Sequence, residues 1–164
     1  MAESTIVKNF RDTTILIEDA TAITPLNYTV AYEAGDASFD IGKYEISVYR
    51  DRGEVCSVRK TNAGLPSGSF TVHFRELSDG TNENLTDILD QKGAFSAAVS
   101  TLAAGADADV YTVKLTFTIA GAVHGDATDN TISFDDCYCT WSYSDGDPSS
   151  VAVSWTCHGA VTQT

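Results

Sequence analysis

Basic residues are scarce in this 164-residue chain: ten Lys and Arg stand against 23 Asp and Glu, for a net charge of −13. That balance excludes a protein that grips nucleic acid through its phosphates or adheres to an anionic membrane surface. No apolar run approaches the roughly 20 residues of a membrane-spanning helix. The first residues, Met1-Ala2-Glu3-Ser4-Thr5, are acidic and polar where a secretory signal is basic and then apolar, so assembly in the cytoplasm is expected. In that compartment Cys56, Cys137, Cys139 and Cys157 are expected as thiols. A Gly-rich phosphate cradle, a Walker lysine and a Gly-x-Ser-x-Gly elbow are all missing. The three histidines, His73, His124 and His158, fall on a strand, in a loop and near the chain end; no enzymatic activity is expected. Proline is confined to Pro25, Pro66 and Pro148, each in a predicted turn, so no strand has a proline to blunt its edge.

What the sequence has in quantity is alternation. Tyr44, Ile46 and Val48 alternate with Glu45 and Ser47, and Phe70, Val72 and Phe74 with Ser69, Thr71 and His73, a two-residue period that predicts half-buried strands. Between them lie a tight turn, Asp51-Arg52-Gly53-Glu54, a strand-like run Val55 to Arg59, and a polar loop, Lys60 to Gly68. Upstream, Thr13 to Glu18 has a continuous apolar centre, Ile15-Leu16-Ile17, which predicts a strand covered on both faces. Leu26, Tyr28, Val30 and Tyr32 predict a second strand. Residues 1–10 form an arm carrying Ile6, Val7 and Phe10, able to pair with a neighbouring chain as readily as with its own.

Downstream, one short helix is predicted, with Asn84 as its cap, Asp87 placed to meet the free amides, Leu85, Ile88 and Leu89 facing inward, and Lys92-Gly93 closing it. Tyr111 to Ile119 is the clearest strand. Ile132 and Phe134 share a face, but Cys137, Cys139, Trp141 and Tyr143 continue in the opposite register, which predicts a bulge at Asp135-Asp136. A last hairpin turns at Asp145 to Ser149 and returns through Val151, Val153, Trp155 and Cys157 to a polar tail, 159–164. The expected fold is mainly β: a single domain, residues 1–164, forming an antiparallel β-sandwich or partly closed barrel with one short α-helix.

The residues that could carry chemistry favour contact over catalysis. Cys137, Cys139 and Cys157 with His158 could be drawn as a metal site. Structural zinc ligands, however, are usually spaced two to four residues apart in turns, and His158 faces away from Cys157, so buried thiols and no metal are expected. Arg50, Arg52, Arg59 and Lys60 form the one basic concentration, and with Asn62, Leu65 and Pro66 of the following loop they are the candidate inter-subunit contacts. From Gly93 onward there are eight acidic residues and one basic, Lys114. Asp107, Asp109, Asp126, Asp129, Asp135 and Asp136 are candidates for an acidic wall.

Two blocks carry a family resemblance. The acidic turn Glu33-Ala34-Gly35-Asp36, the hairpin closed by Asp51-Arg52-Gly53, Arg59, the Pro-containing loop and the run Ser67 to Phe74 resemble the N-terminal half of the tail tube (major tail) proteins of long-tailed bacteriophages. The stretch from Phe134 to Val161, with its Cys-bearing strand, Asp-Gly-Asp-Pro turn and Ser-rich strand ending in glycine, is similar to that family's closing pair. The resemblance implies a virion protein without cofactors. Its expected form is hexameric rings stacked into a tail tube around a tape measure protein, between tail terminator and distal tail proteins. Double-stranded DNA would pass through that tube during ejection without tight binding. The alternative, from another class, is a monomeric Ig-like module that binds a glycan or host surface through Tyr28, Tyr32, Trp141 and Trp155.

Overall fold

A computed structural model describes residues 13–30, 37–75, 83–102, 109–122 and 125–164. The N-terminal arm, the Glu33–Asp36 turn, Tyr32, Asp107 and His124 lie outside them. Among the described residues there are ten strands: β1 (Thr13–Glu18), β2 (Asn27–Val30), β3 (Ser38–Asp40), β4 (Ile46–Asp51), β5 (Glu54–Lys60), β6 (Ser67–His73), β7 (Val113–Ile119), β8 (Asn130–Ser144), β9 (Ser150–Cys157) and β10 (Val161–Gln163). One α-helix, α1 (Leu85–Asp90), precedes a single 3-10 turn at Gly93–Phe95. Eight strands form one antiparallel sheet in the order β2-β1-β7-β8-β9-β6-β3, with β10 also on β8; β4 and β5 pair only with each other. The fold is the expected mainly-β, sandwich-like one, but no barrel closes among the described residues, where β2 and β3 end the sheet.

The sheet folds back on itself because β8 bends. Leu115 pairs with Phe134 but Val113 with Cys137, so one residue of β7 faces two of β8 at Asp135-Asp136, and Asp136 takes a left-handed φ of 54°. This is the bulge that the register switch predicts. Before it β8 pairs with β7 and β10; beyond it, with β9. Phe39 of β3, at one end of the strand order, thereby reaches Phe117 of β7, with ring centroids 5.7 Å apart, and Phe134 at 5.4 Å. Trp155 stacks at 4.5 Å from Phe134. Ile15, Ile17, Val30, Phe70, Leu115 and Val153 complete the core, each such side chain contributing about 1.5–3 kcal/mol.

Four expectations are corrected in this body. In β1, Ile15 and Ile17 are buried but Thr14 is exposed and Leu16 only half-buried, so the strand is covered on one face. In α1, Leu85, Ile88 and Leu89 do face inward, yet Asn84 makes no side-chain capping bond and the chain ends the helix on Gln91 in the left-handed region. Asp87 is fully buried and neither carboxylate oxygen has a hydrogen-bond partner, so it does not meet the free amides. Asp19 plays the organising role instead. Its carboxylate accepts from the amides of Thr21 (3.1 Å), Leu26 (2.7 Å) and Val99 (2.9 Å) and from the Thr21 hydroxyl, tying the β1–β2 turn to the segment after the 3-10 turn. Burial by itself would raise the Asp19 pKa; these donors outweigh it and hold the group below its ordinary value.

Candidate assembly hairpin

The β4–β5 hairpin stands apart from the sheet. Its tip is a two-residue turn, Arg52-Gly53, with φ of 50° and 92°. Positive φ at both positions is the geometry that matches strand twist, and glycine takes the second at no cost. Its root is a close crossing of backbones. A Cβ on Gly42 would lie 2.6 Å from the Gly64 carbonyl oxygen, and one on Gly64 would lie 2.2 Å from that of Lys43. Glu45 and Thr61 continue the ladder past the strands, Thr61 N donating to Glu45 O at 2.8 Å and Glu45 N to Asn62 O at 2.9 Å.

The register gives the hairpin two unlike faces. Val48 lies opposite Val58, Ile46 opposite Lys60 and, past a bulge, Arg50 opposite Val55. These residues, with Tyr44, share one face, and all of them are exposed: Ile46 to 64%, Val58 to 56% and Val48 to 43%. The prediction that the row is half-buried is therefore wrong. The alternation identifies the strand correctly, but no layer among the described residues covers it. A contiguous apolar row on a two-stranded arm, marginal in stability by itself, is characteristic of a surface that another molecule covers.

The expected contact residues all belong to this arm or its base. Arg52 and Arg59 are exposed, Arg50 donates to Gly53 O at 3.3 Å, and Lys60 lies over the Tyr44 ring at 4.6 Å. Among the described residues the ion pairs are Lys92–Asp90 and Lys114–Asp135, so the three arginines keep their charge unpaired by carboxylates. Asn62 donates to the Glu45 carboxylate at 3.0 Å, Leu65 is exposed, and the Pro66 carbonyl accepts from Cys157 N at 2.7 Å, anchoring the loop to β9. Beside the root, Phe39, Ile41, Ile119 and Ile132 line an open groove of about 480 Å³.

The acidic candidates are not gathered in the same way. Asp126 and Asp129 share the β7–β8 loop, where they accept from Thr128 N (3.2 Å) and Gly121 N (2.8 Å). Asp135 and Asp136 sit in the bulge, Asp135 3.6 Å from Lys114, and Asp109 is exposed ahead of β7. A different surface passes unnoticed in the sequence. The outward side chains of β6, β9 and the second half of β8 pair as Ser67–Thr156–Tyr138, Ser69–Ser154–Thr140 and Thr71–Ala152–Ser142. On that face eight of these nine side chains carry a hydroxyl and none is a charged residue type, on a chain of net charge −13. Its signal was the polar half of each alternation, read only as the side that is not core.

Among the described residues no cluster of three His, Cys, Asp or Glu side chains could hold a metal ion. All four cysteines are free. Of the four aromatics named for the alternative reading, Tyr32 lies outside the described residues and the other three do not share an exposed surface. Trp155 is in the core, Trp141 is half-buried and donates to Asp90 at 3.1 Å, and Tyr28 is half-buried, with its hydroxyl pKa raised by burial. Among the described residues no helix is long and apolar enough to cross a membrane.

No family model matches the chain, and no curated protein matches it by sequence. The fold does have a counterpart among solved structures. All of the chain aligns with 97% of a chain in the cryo-EM structure of the anti-feeding prophage (AFP) baseplate, 6-fold symmetrised, with a TM-score of 0.55 at 12% sequence identity. At that identity the likeness is one of fold.

Proposed function

We propose that this chain is a structural subunit of a phage-tail-like particle and that it acts by assembling with copies of itself. The observation that carries the reading is the β4–β5 arm, whose exposed apolar row and arginines, unpaired by carboxylates among the described residues, stand on an otherwise acidic chain. An acidic neighbour suits the arginines, and the apolar groove beside the root suits the row; every copy supplies both. Such a contact is heterologous, so it closes into a ring or propagates as a stack. The AFP neighbour's sixfold context and the tail tube resemblance support six copies per ring and rings stacked into a tube. A tape measure protein inside, terminator and distal tail proteins at the ends, a place in the virion and host cytoplasmic assembly belong to the same reading. No enzymatic step is part of it.

In this reading DNA passes without being held. Duplex DNA carries about one negative charge per 1.7 Å, so a lysine-lined wall would bind it tightly at low salt. In this reading Asp109, Asp126, Asp129, Asp135 and Asp136, dispersed on one chain, make a repulsive wall when multiplied by ring symmetry, with the basic residues engaged between subunits. Size-exclusion chromatography with negative-stain imaging tests the whole: rings or tubes are expected, and a monomer that binds a glycan array would replace this reading with the Ig-like one. Gel-shift titration of the assembled particle at low ionic strength tests the wall; tight, salt-sensitive retention of duplex DNA would refute it.

A further inference from the structure

Cys137 and Cys157 lie directly opposite one another where β8 leaves its bulge and β9 ends. The surrounding hydrogen bonds define what kind of pair they form. The Cys157 amide donates away from β8, to Pro66 O at 2.7 Å, whereas the next amide, of His158, donates to Asp136 O of β8 at 3.1 Å. Bonded and non-bonded pairs alternate along an antiparallel ladder, so Cys137 and Cys157 occupy a non-hydrogen-bonded position. There Cα atoms stand about 4.5 Å apart, inside the range of about 4.4–6.8 Å that a disulfide spans. Both side chains are fully buried, with Cys137 Sγ donating to Phe134 O at 3.4 Å and Cys157 Sγ to Asp135 O at 3.0 Å, so each thiol lies within the bend. Cys139 shares the face but is opposite Trp155, and its diagonal separation from Cys157, about 7–8 Å, is too long for a bond. Cys56 is on the exposed arm.

We propose that Cys137 and Cys157 form an oxidisable dithiol, a modification site that takes a hydroperoxide and closes to one intrachain disulfide across the bend of β8. With hydrogen peroxide the step balances. Cys157 Sγ attacks one peroxide oxygen; the O–O bond breaks, giving a sulfenic acid and one water. Cys137 Sγ then attacks the Cys157 sulfur, the S–O bond breaks, and the hydroxyl leaves as a second water. The two thiols together give up two electrons and two protons, which the peroxide takes. Burial raises the pKa of both thiols, so little thiolate is present at neutral pH. The dithiol therefore persists in a reducing cytoplasm and closes only under sustained oxidant. The bond ties the bulge to the end of β9, fixing the bend that brings the two halves of the sheet together.

The test uses the full chain and does not depend on the assembly reading. Folded protein is treated with hydrogen peroxide, alkylated under denaturing, non-reducing conditions and mapped by peptide mass spectrometry, with Tm measured before and after. The expected product is a Cys137–Cys157 link with Tm raised by about 10 °C, as closing a loop of this size implies. Cys139→Ser keeps the link and Cys157→Ser forms none. Because serine at a buried site can unfold the chain, the Cys137→Ala/Cys157→Ala double variant is the second control, and peroxide must leave its Tm unchanged. A link to Cys139, free Cys137 and Cys157 after Cys56 has been fully oxidised, or a linked species of unchanged or lower Tm overturns the proposal.

Discussion

The β4–β5 and β8–β9 hairpins both alternate branched and aromatic residues with polar ones, and both turn through a glycine-bearing loop, yet they end in opposite surroundings. In β9 the apolar row Val151, Val153 and Trp155 is no more than 3% exposed; in β4–β5 the row of Ile46, Val48 and Val58 is about half exposed. The cause is connectivity rather than side-chain chemistry. β9 is held between β8 and β6, so its inner face meets the folded-back half of the sheet. β4 and β5 are separated from the sheet by the crossing of Gly42 and Gly64, and none of the described residues folds over them. A period of two thus reports that a strand has an apolar side, while burial of that side depends on what the rest of the chain brings to it.

If that contrast is sound, the two rows respond oppositely to truncation. Trp155→Ala, in the core, is expected to cost about 3–5 kcal/mol of stability in chemical denaturation. Asp87→Leu, also in the body, is expected to act in the other direction, raising stability by about 1–2 kcal/mol because a buried carboxylate without a partner is removed; an unchanged or lower denaturation midpoint would show that Asp87 is satisfied in solution.

A third expected effect depends on pH. The folded pKa of Asp19 lies below its ordinary value of 3.8, so its stabilising contribution is complete above that value and is lost as pH falls through the folded pKa. Asp19→Asn should therefore cost about 1–2 kcal/mol at neutral pH and flatten the acid limb of the stability curve below about pH 4. An unaltered acid limb in urea titrations at stepped pH would refute this. The smallest effect on stability is expected from Val48→Ser with Val58→Ser, under about 0.5 kcal/mol, as for exposed substitutions. The same pair should abolish rings and tubes in negative stain. Large destabilisation with intact tubes would invert the comparison.

The sequence was informative wherever local geometry decides the outcome. The Arg52-Gly53 turn, the bulge at Asp135-Asp136, the inward face of α1 and the Asp145–Ser149 turn are each set by a few adjacent residues, and each is where the pattern predicts. Less was legible where the answer depends on distant chain. The exposure of Ile46 and Val48 depends on the neck at Gly42 and Gly64, 22 positions apart, and the bracket made by Asp19 depends on Val99, 80 positions away. The basic residues were readable as one group because they lie close together along one hairpin. The acidic set was not readable as a site, because Asp126 and Asp129 fall in one loop and Asp135 and Asp136 in the bulge.

The glycine neck has a mechanical consequence. A strand of six residues reaches about 20 Å, so the hairpin is a lever whose fulcrum is two backbone segments in contact. At that reach a tilt of about 10° at the root carries the tip about 3 Å sideways, enough to take Val48 and Val58 out of register with any surface they meet. Gly42 and Gly64 leave no room for a Cβ, and the atoms in the way are backbone carbonyls that cannot swing aside. Aim is therefore set at the root and chemistry along the shaft, and a single methyl group at Gly64 can misdirect an arm whose every contacting side chain is intact.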